Sequence, residues 1–406
     1  MPSEGPARRG PLAGIRVVAF SGIGPGPFAA MLLADMGADV VRVDSVVPPA
    51  VKTIVPILGT KFDVLARGQR SIILDLKKPE AVAIALALAE RSDILLEGFR
   101  PGVMERLGLG PEACMASNRA LVYGRVTGWG QTGPLAAAAG HDINYIGLSG
   151  VLHSIGRDGE APMFPLGLAG DYGGGGMLLT VGVLAALHER HASGSGQVID
   201  ASMTEGSALL LASHYGMFAG GMLPGRRGTH LFDGGPHFYE TYRCADGRHV
   251  CVGALEPAFY AKLLELCGLD AARLPAQFDP GAWPEMKRRF AALFVTRTRD
   301  EWVDLLGGSD TCFAPVLDLA EAPQHPHARA RGSFACVDGV VQPSPAPRFS
   351  RTPAAVPASG SQPGADSVRV LEELGLDPAR IGQLVASRAV VASCATVDSA
   401  PARGQY

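Results

Sequence analysis

Residues 12–44 read LAGIRVVAFSGIGPGPFAAMLLADMGADVVRVD, and their pattern sets the fold class. Ile15–Phe20 is an apolar run with two valines, which predicts a buried strand. Ser21–Pro27 is a Gly/Pro loop. Phe28–Met36 then reads as a helix closed by Gly37, and Asp39–Val43 as a second strand ending at Asp44. Strand, helix and strand in that order imply a βαβ unit and a parallel sheet. The pattern extends outward. Ser71–Leu76, Asp93–Glu97 and Leu121–Val126 are further strands and Ala81–Glu90 a further helix, so an α/β arrangement is predicted over about residues 11–130. Residues 131–175 read as loops, Met177–His188 as a buried helix, and Val198–Leu211 as a strand followed by a helix. Phe238–Val252 alternates in hydrophobicity around Asp246-Gly247, a hairpin signal. Helices are predicted at Pro257–Cys267, Trp283–Thr296, Asp300–Leu306 and Val368–Gly375, extended chain at 335–365, and loose ends at 1–10 and 385–406.

Composition narrows the class. The chain has 406 residues, 47% of them hydrophobic, which suffices for a sizeable core and excludes a mainly disordered chain. The 52 Gly and 31 Pro exceed average usage but follow no fixed period, which excludes collagen. A net charge of −3 lacks the basic imbalance of a nucleic-acid binder. Seven cysteines without a C-x-x-C pair are expected to be reduced thiols, and their spacing to histidine does not suit zinc. The N-terminus has no apolar stretch of the signal-peptide kind, no run approaches the ~20 residues of a bilayer span, and RGQY is not a peroxisomal ending. The expected compartment is the cytoplasm.

Several motifs carry candidate chemistry. Gly22-x-Gly24-x-Gly26 follows a strand and precedes a helix, with Asp44 downstream, but it is not G-x-G-x-x-G, and Pro25 and Pro27 stiffen the loop. A tight βα turn is the plainer reading. Gly170-Asp171-Tyr172 opens a run of four glycines before a helix. Asp171 is expected at an N-cap, where it could serve only as a cap. Alternatively the glycines admit a substrate close to the backbone and the N–H groups of Asp171 to Gly173 hold an oxyanion. His141, in Gly140-His141-Asp142-Ile143-Asn144-Tyr145, lies in a polar loop after GWGQTGP and is either structural or a proton carrier. Glu256, at a strand-to-helix junction, is either a first-turn carboxylate or part of a site. Arg42, Arg67, Arg70, Lys77, Arg100, Arg106 and Arg125 cluster in the first third, and at the loop edges of a parallel sheet they would suit a phosphate-bearing ligand.

With these stretches together, the sequence resembles the CaiB/BaiF family, also called class III CoA-transferases, and within it the α-methylacyl-CoA racemases. The resemblance rests on residues 12–44, EGFRPGVMERLGLGP (97–111), TGWGQTGP (127–134), GHDINYIGLSGVLHSIGR (140–157), GDYGGGGMLLTVGVLAALHER (170–190), SGSGQVIDASMTEG (193–206) and VGALEPAFY (252–260). It implies a Rossmann-like large domain and a smaller α+β domain in an interlocked homodimer. The implied boundaries are 1–200 for the large CoA-binding part, 201–233 a linker, 234–322 the small domain, 323–345 a second linker, 346–384 a segment returning to the large domain, and 385–406 a disordered tail.

The resemblance also implies a racemase that interconverts (2R)- and (2S)-2-methylacyl-CoA thioesters through an enolate. It would use no metal or redox cofactor, CoA being part of the substrate. A CoA-transferase using Asp171 as nucleophile is the alternative. By match, His141 pairs with Glu256 of the other subunit and Asp171 is the opposing base. Racemisation needs a base on one face and an acid on the other, and His titrates near neutral pH. Arg67 and Arg106, and more weakly Arg42 and Arg100, fall on CoA-phosphate positions. Tyr145, Tyr239 and Gly173 fall in the substrate pocket. No nucleic-acid or membrane partner is implied. The chain departs from the racemase pattern at Ser45 (usually Arg), at Gly167 (usually an Asn that helps hold the Asp), in a longer and more apolar loop at 45–66, and at DGGPH (233–237), where the change is expected to reshape the acyl pocket.

Overall fold

The computed structural model describes residues 9–47, 50–223 and 225–392. The predicted N-terminal arm, up to residue 8, and the tail from 393, with Cys394, lie outside them. The strands β1 (Arg16–Phe20), β2 (Asp39–Ser45), β3 (Gln69–Leu74), β4 (Ile94–Glu97), β5 (Val122–Thr127) and β6 (Val198–Ser202) lie in the order 3-2-1-4-5-6, all parallel. This is the doubly wound order, whose connections leave β1 in opposite directions. Val390–Val391 adds an antiparallel edge strand to β3. The C-terminal segment therefore continues past residue 384, and the first part of the predicted loose tail is sheet.

Neighbouring residues of each strand serve opposite faces. Val18, Leu95 and Tyr123 pack with helix α2 (Pro79–Glu90) and with Val370 and Leu371. Val17, Ile94 and Val122 pack with α1 (Pro25–Asp35) and α4 (Leu178–Ser193). The near-continuous apolar runs thus mark strands covered on both sides. The stretch 131–175 is not all loop. It holds α3 (Asp142–Leu148) and a π-helical segment, Leu168–Met177, that runs straight into α4. After β6, α5 (Met203–Leu210) packs on that segment.

The chain divides into two units. Of the described residues, the first holds those up to Ser149, Leu166–Leu210 and 331–392; the second holds Gly150–Pro165 with Leu211–Ala330. β6 and α5 therefore fall in the first unit, beyond the expected boundary at 200. Residues 211–233 are part of the second unit, with a helix α6 (Ala212–Ala219), rather than a free linker. The return to the first unit begins at Arg331 rather than 346, through an antiparallel hairpin at Phe334–Val337 and Val340–Pro343.

The second unit carries an antiparallel sheet of β7 (Tyr239–Arg243), β8 (His249–Gly253) and β9 (Phe313–Pro315). Helices α7 (Pro257–Leu266), α8 (Trp283–Phe294) and α9 (Arg299–Leu306) follow the predicted apolar spacing. Its core is aromatic, built on Phe238, Tyr242, Phe290, Phe294 and Trp302. Among the described residues no helix is long and apolar enough to cross a membrane.

Candidate active site

In a doubly wound sheet the crevice lies outside the carboxyl ends of the strands where the order reverses, here β1 and β4. The loop after β1 bends at Gly24, with φ +68°, and a Cβ built there would lie 2.8 Å from Oδ2 of Asp171. The π-helical segment thus delivers Asp171 to the switch point. On its other side Gly167 leaves room as well, its Cβ position being 3.5 Å from the same oxygen. Among the described residues no hydrogen-bond donor reaches this carboxylate. Burial, reinforced by the neighbouring Asp142 carboxylate and opposed by His141, pushes its pKa up to about 6.

His141 directly precedes α3, and its N–H donates to Oδ1 of Asn144 at 3.0 Å. Its side chain is exposed. The Asp142 carboxylate accepts the backbone N–H of Asp171 at 2.8 Å and so ties the start of α3 to the π-helical segment. Tyr145 is buried; its hydroxyl donates to the carbonyl of Gly140, and its ring stands edge-on to Trp129 at 4.8 Å. It braces the loop that carries His141 more than it lines an open pocket. Its hydroxyl pKa is raised by burial and by Asp171, against Arg100.

The glycine run does not do what its sequence suggests. Asp171 is not an N-cap but an interior residue of the π-helical segment. Its N–H is taken by Asp142, and that of Tyr172 donates to Gly167 O at 3.0 Å. The expected oxyanion donors at 171 and 172 are therefore occupied. Gly174, Gly175 and Gly176 are buried against α5 and α1, where a Cβ on Gly174 would come 2.5 Å from the Ser207 nitrogen. Even at Gly173 a Cβ would meet Leu168 O and Leu210 Cδ1 at 3.0 Å. These glycines let helices touch; they do not open a path for substrate.

The basic cluster separates into two kinds. Arg67 is buried, paired in two-pronged fashion with Asp35, and donates to Gln342 Oε1 at 3.1 Å and Pro343 O at 2.6 Å. It cannot be the phosphate ligand expected of it. Arg42 grips Asp44 at 2.9 Å and Ser361 O at 3.1 Å, with its Nη1 buried and unpartnered. Asp44 is thereby filled by Arg42 and the Ser71 hydroxyl, 2.6 Å away, so it offers nothing to a ribose, and the dinucleotide reading fails. Arg70 pairs with Asp39 and Glu373, and Arg125 with Glu97 and Glu105. Arg100, Arg106 and Lys77 keep exposed side chains that are unpaired among the described residues. Arg106 and Lys77 border an open depression of about 490 Å³ floored by Leu76, Val82 and Leu86.

In the second unit Glu256 directly precedes α7 and is exposed. Its charge adds to burial in raising the Cys312 thiol pKa. Tyr239 starts β7, with its ring edge-on to Phe232 at 6.1 Å. His237 of the DGGPH stretch does not shape an open pocket. It is buried under Phe290, bonded to Tyr260 Oη at 2.8 Å, and burial drops its pKa to about 4. An apolar cavity of about 380 Å³ lies elsewhere in this unit, between Leu211, Tyr215, Phe218 and Leu223, with His214 and His230. Asp142 is a site residue to which the sequence motifs assign no role. The local signal was present, since a carboxylate directly follows His141.

The CoA-transferase family III model matches residues 12–367. The chain is 47% identical over 384 residues to the alpha-methylacyl-CoA racemase of Mus musculus, covering 93% of this chain and 97% of that one. It is 46% identical over 378 residues to the alpha-methylacyl-CoA racemase of Homo sapiens, covering 92% and 96%. A crystal structure of a CAIB/BAIF family protein from Brucella suis superposes with a TM-score of 0.78 at 26% identity, over 90% of this chain and all of that one.

Proposed function

The chain belongs to CoA-transferase family III, and from its likeness to the racemases among its relatives we infer that it is an α-methylacyl-CoA racemase. It interconverts the (2R) and (2S) forms of 2-methylacyl-CoA thioesters by removing and returning the C2 proton. The observation that carries the chemistry is the Asp171 carboxylate, half-buried between two glycines without a donor, beside His141. A carboxyl poised at about 6 exchanges protons near neutral pH, as a two-base racemisation requires.

In this reading Asp171 serves one face of C2 and His141 the other. For one enantiomer Asp171 is the base, and for the other it is the acid. Asp142 positions Asp171 through its backbone and keeps its proton affinity high. α3 begins at Asp142, and while the N–H of Asn144 donates to His141 O at 2.8 Å, those of Asp142 and Ile143 have no partner inside the helix. We assign the enolate oxygen to these donors, because those at 171–172 are occupied. The proton leaves and returns without electron transfer, so the reaction calls for no redox group. Arg106 and Lys77, with Arg100, are the cations we assign to the CoA phosphates. The apolar cavity of the second unit has the lining an acyl chain needs.

The site is shared between two copies in this proposal, with His141 and Asp171 from one and Glu256 from the other. Exposed Leu209 and Leu210 in the first unit supply apolar surface for that assembly.

Proton NMR of (2R)- and (2S)-2-methylacyl-CoA in D₂O tests the reading. Exchange of the C2 proton from both enantiomers, lost in Asp171→Ala and His141→Ala, supports it. CoA passing instead to an added carboxylic acid, and stopping in Asp171→Ala, would make the enzyme a transferase. Mixing inactive His141→Ala and Glu256→Ala proteins restores activity if the site is shared, and leaves both dead if it is not.

A further inference from the structure

The hydroxyls of Tyr145 and Tyr172 both lie within reach of the Asp171 charge, and only one of them is spent. That of Tyr145 donates to Gly140 O. That of Tyr172 has no hydrogen-bond partner among the described residues, although the side chain is half-buried. Its ring is held in place. It lies against Phe28 of α1, with centroids 5.0 Å apart at 49°, and the backbone N–H of the same residue donates to Gly167 O at 3.0 Å. The Cβ position at Gly167 is 3.5 Å from Asp171 Oδ2 and 3.6 Å from Tyr172 Cε2, so the carboxylate and the ring edge flank one gap. Cε2 is bonded to the carbon that bears the hydroxyl, which puts the O–H beside that gap. Burial, and after it the Asp171 and Asp142 charges, raise the phenol pKa, so the proton stays on the oxygen at neutral pH. A neutral, unclaimed donor therefore stands next to the carboxyl that exchanges a proton.

What this donor meets follows from the substrate class, and here the inference rests on the racemase reading. Around C2 of a 2-methylacyl thioester, the methyl group and the acyl chain accept no hydrogen bond. The nearest acceptor is the oxygen on C1. As the proton leaves C2, the C–H electron pair becomes the C2–C1 double bond and the carbonyl π pair moves onto that oxygen. We propose that Tyr172 is a further catalytic residue, whose hydroxyl donates to the thioester oxygen and shares the developing enolate charge with the N–H groups of Asp142 and Ile143. A donor fixed before the substrate arrives needs no reorganisation at the moment of reaction. The phenol keeps its proton throughout, because Asp171 and His141 carry the one that is transferred.

Tyr172→Phe keeps the ring against Phe28 and removes only the hydroxyl. In the full-length protein, kcat for C2 deuterium uptake from both enantiomers of a 2-methylalkanoyl-CoA is expected to fall on the order of 10²-fold, with KM unchanged. With 2-phenylpropanoyl-CoA, whose aryl ring draws enolate charge away from the oxygen, the loss is expected to shrink to about tenfold. The ratio of the two losses does not depend on the folded fraction, so it survives any change in stability. An unchanged kcat overturns the role and leaves the racemase reading standing. A raised KM at constant kcat also overturns it, by making the hydroxyl a binding contact. Equal losses on the two substrates would do the same, since a group that only positions Asp171 is indifferent to charge on the oxygen. Absence of exchange in the wild type overturns the racemase reading together with this role.

Discussion

Asp35 and Asp171 are both carboxyls pushed above their ordinary range by burial, and their surroundings are opposite. Asp35 is gripped by Arg67, which is itself saturated by Gln342 and Pro343. Nothing there is left to exchange. Asp171 faces two glycines and a second carboxylate, and among the described residues no donor claims it. Saturation, more than charge or burial, separates a carboxylate that holds structure from one that can move a proton.

That contrast is exposed to measurement. Asp171→Asn is expected to cut racemisation at least about 10³-fold, read as C2 deuterium uptake. The same variant should be more stable than wild type above pH 6. Asp171 has an ordinary value of 3.8 and a folded value of about 6, so the folded state binds the proton more readily than the unfolded chain. Raising the pH through that window removes stability from wild type but not from the amide. The advantage should grow from pH 4 to 6 and then level off at on the order of 1 kcal/mol, discounted for partial solvent access. Arg67→Ala is expected to behave in the reverse way. It should lose about 3–5 kcal/mol in denaturant melts, with KM for acyl-CoA in the folded fraction unchanged. A selective rise in KM would restore Arg67 to the CoA site. Arg106→Ala should raise KM about tenfold at constant kcat, the signature of uniform binding to a charged group.

The smallest effect sharpens the contrast most. Gly167→Asn places an amide donor where a Cβ fits at 3.5 Å from Asp171 Oδ2, making Asp171 more like Asp35. The acid limb of the pH profile, for the enantiomer that uses Asp171 as base, should then move below 6. An unmoved limb would mean that a missing donor is not what sets the affinity.

The two carboxylates also show what could be read from sequence. The βαβ pattern of residues 12–44 was legible because both faces of the sheet are covered, which writes apolar runs into the strands. The roles of His141 and Asp171 came from motif resemblance, and neither spacing nor periodicity supplied them. The fate of Arg67 could not be read at all. It depends on Asp35 and on Gln342, 32 and 275 positions away, and a local window holds neither. The π-helical segment was hidden for a different reason. Glycine-rich sequence scores as loop, whereas here the missing side chains are what allow α5 to close on it. The edge strand at Val390–Val391 is too short to announce itself.

That close approach has a consequence for precision. A Cβ on Gly206 would come 2.0 Å from the Gly174 carbonyl oxygen, so backbone rests on backbone in the segment that carries Asp171. Side-chain packing transmits rotamer hops, and bare peptide contact does not. A single methyl group at Gly206 would push that frame apart and, on the proposed mechanism, detune the proton transfer at Asp171.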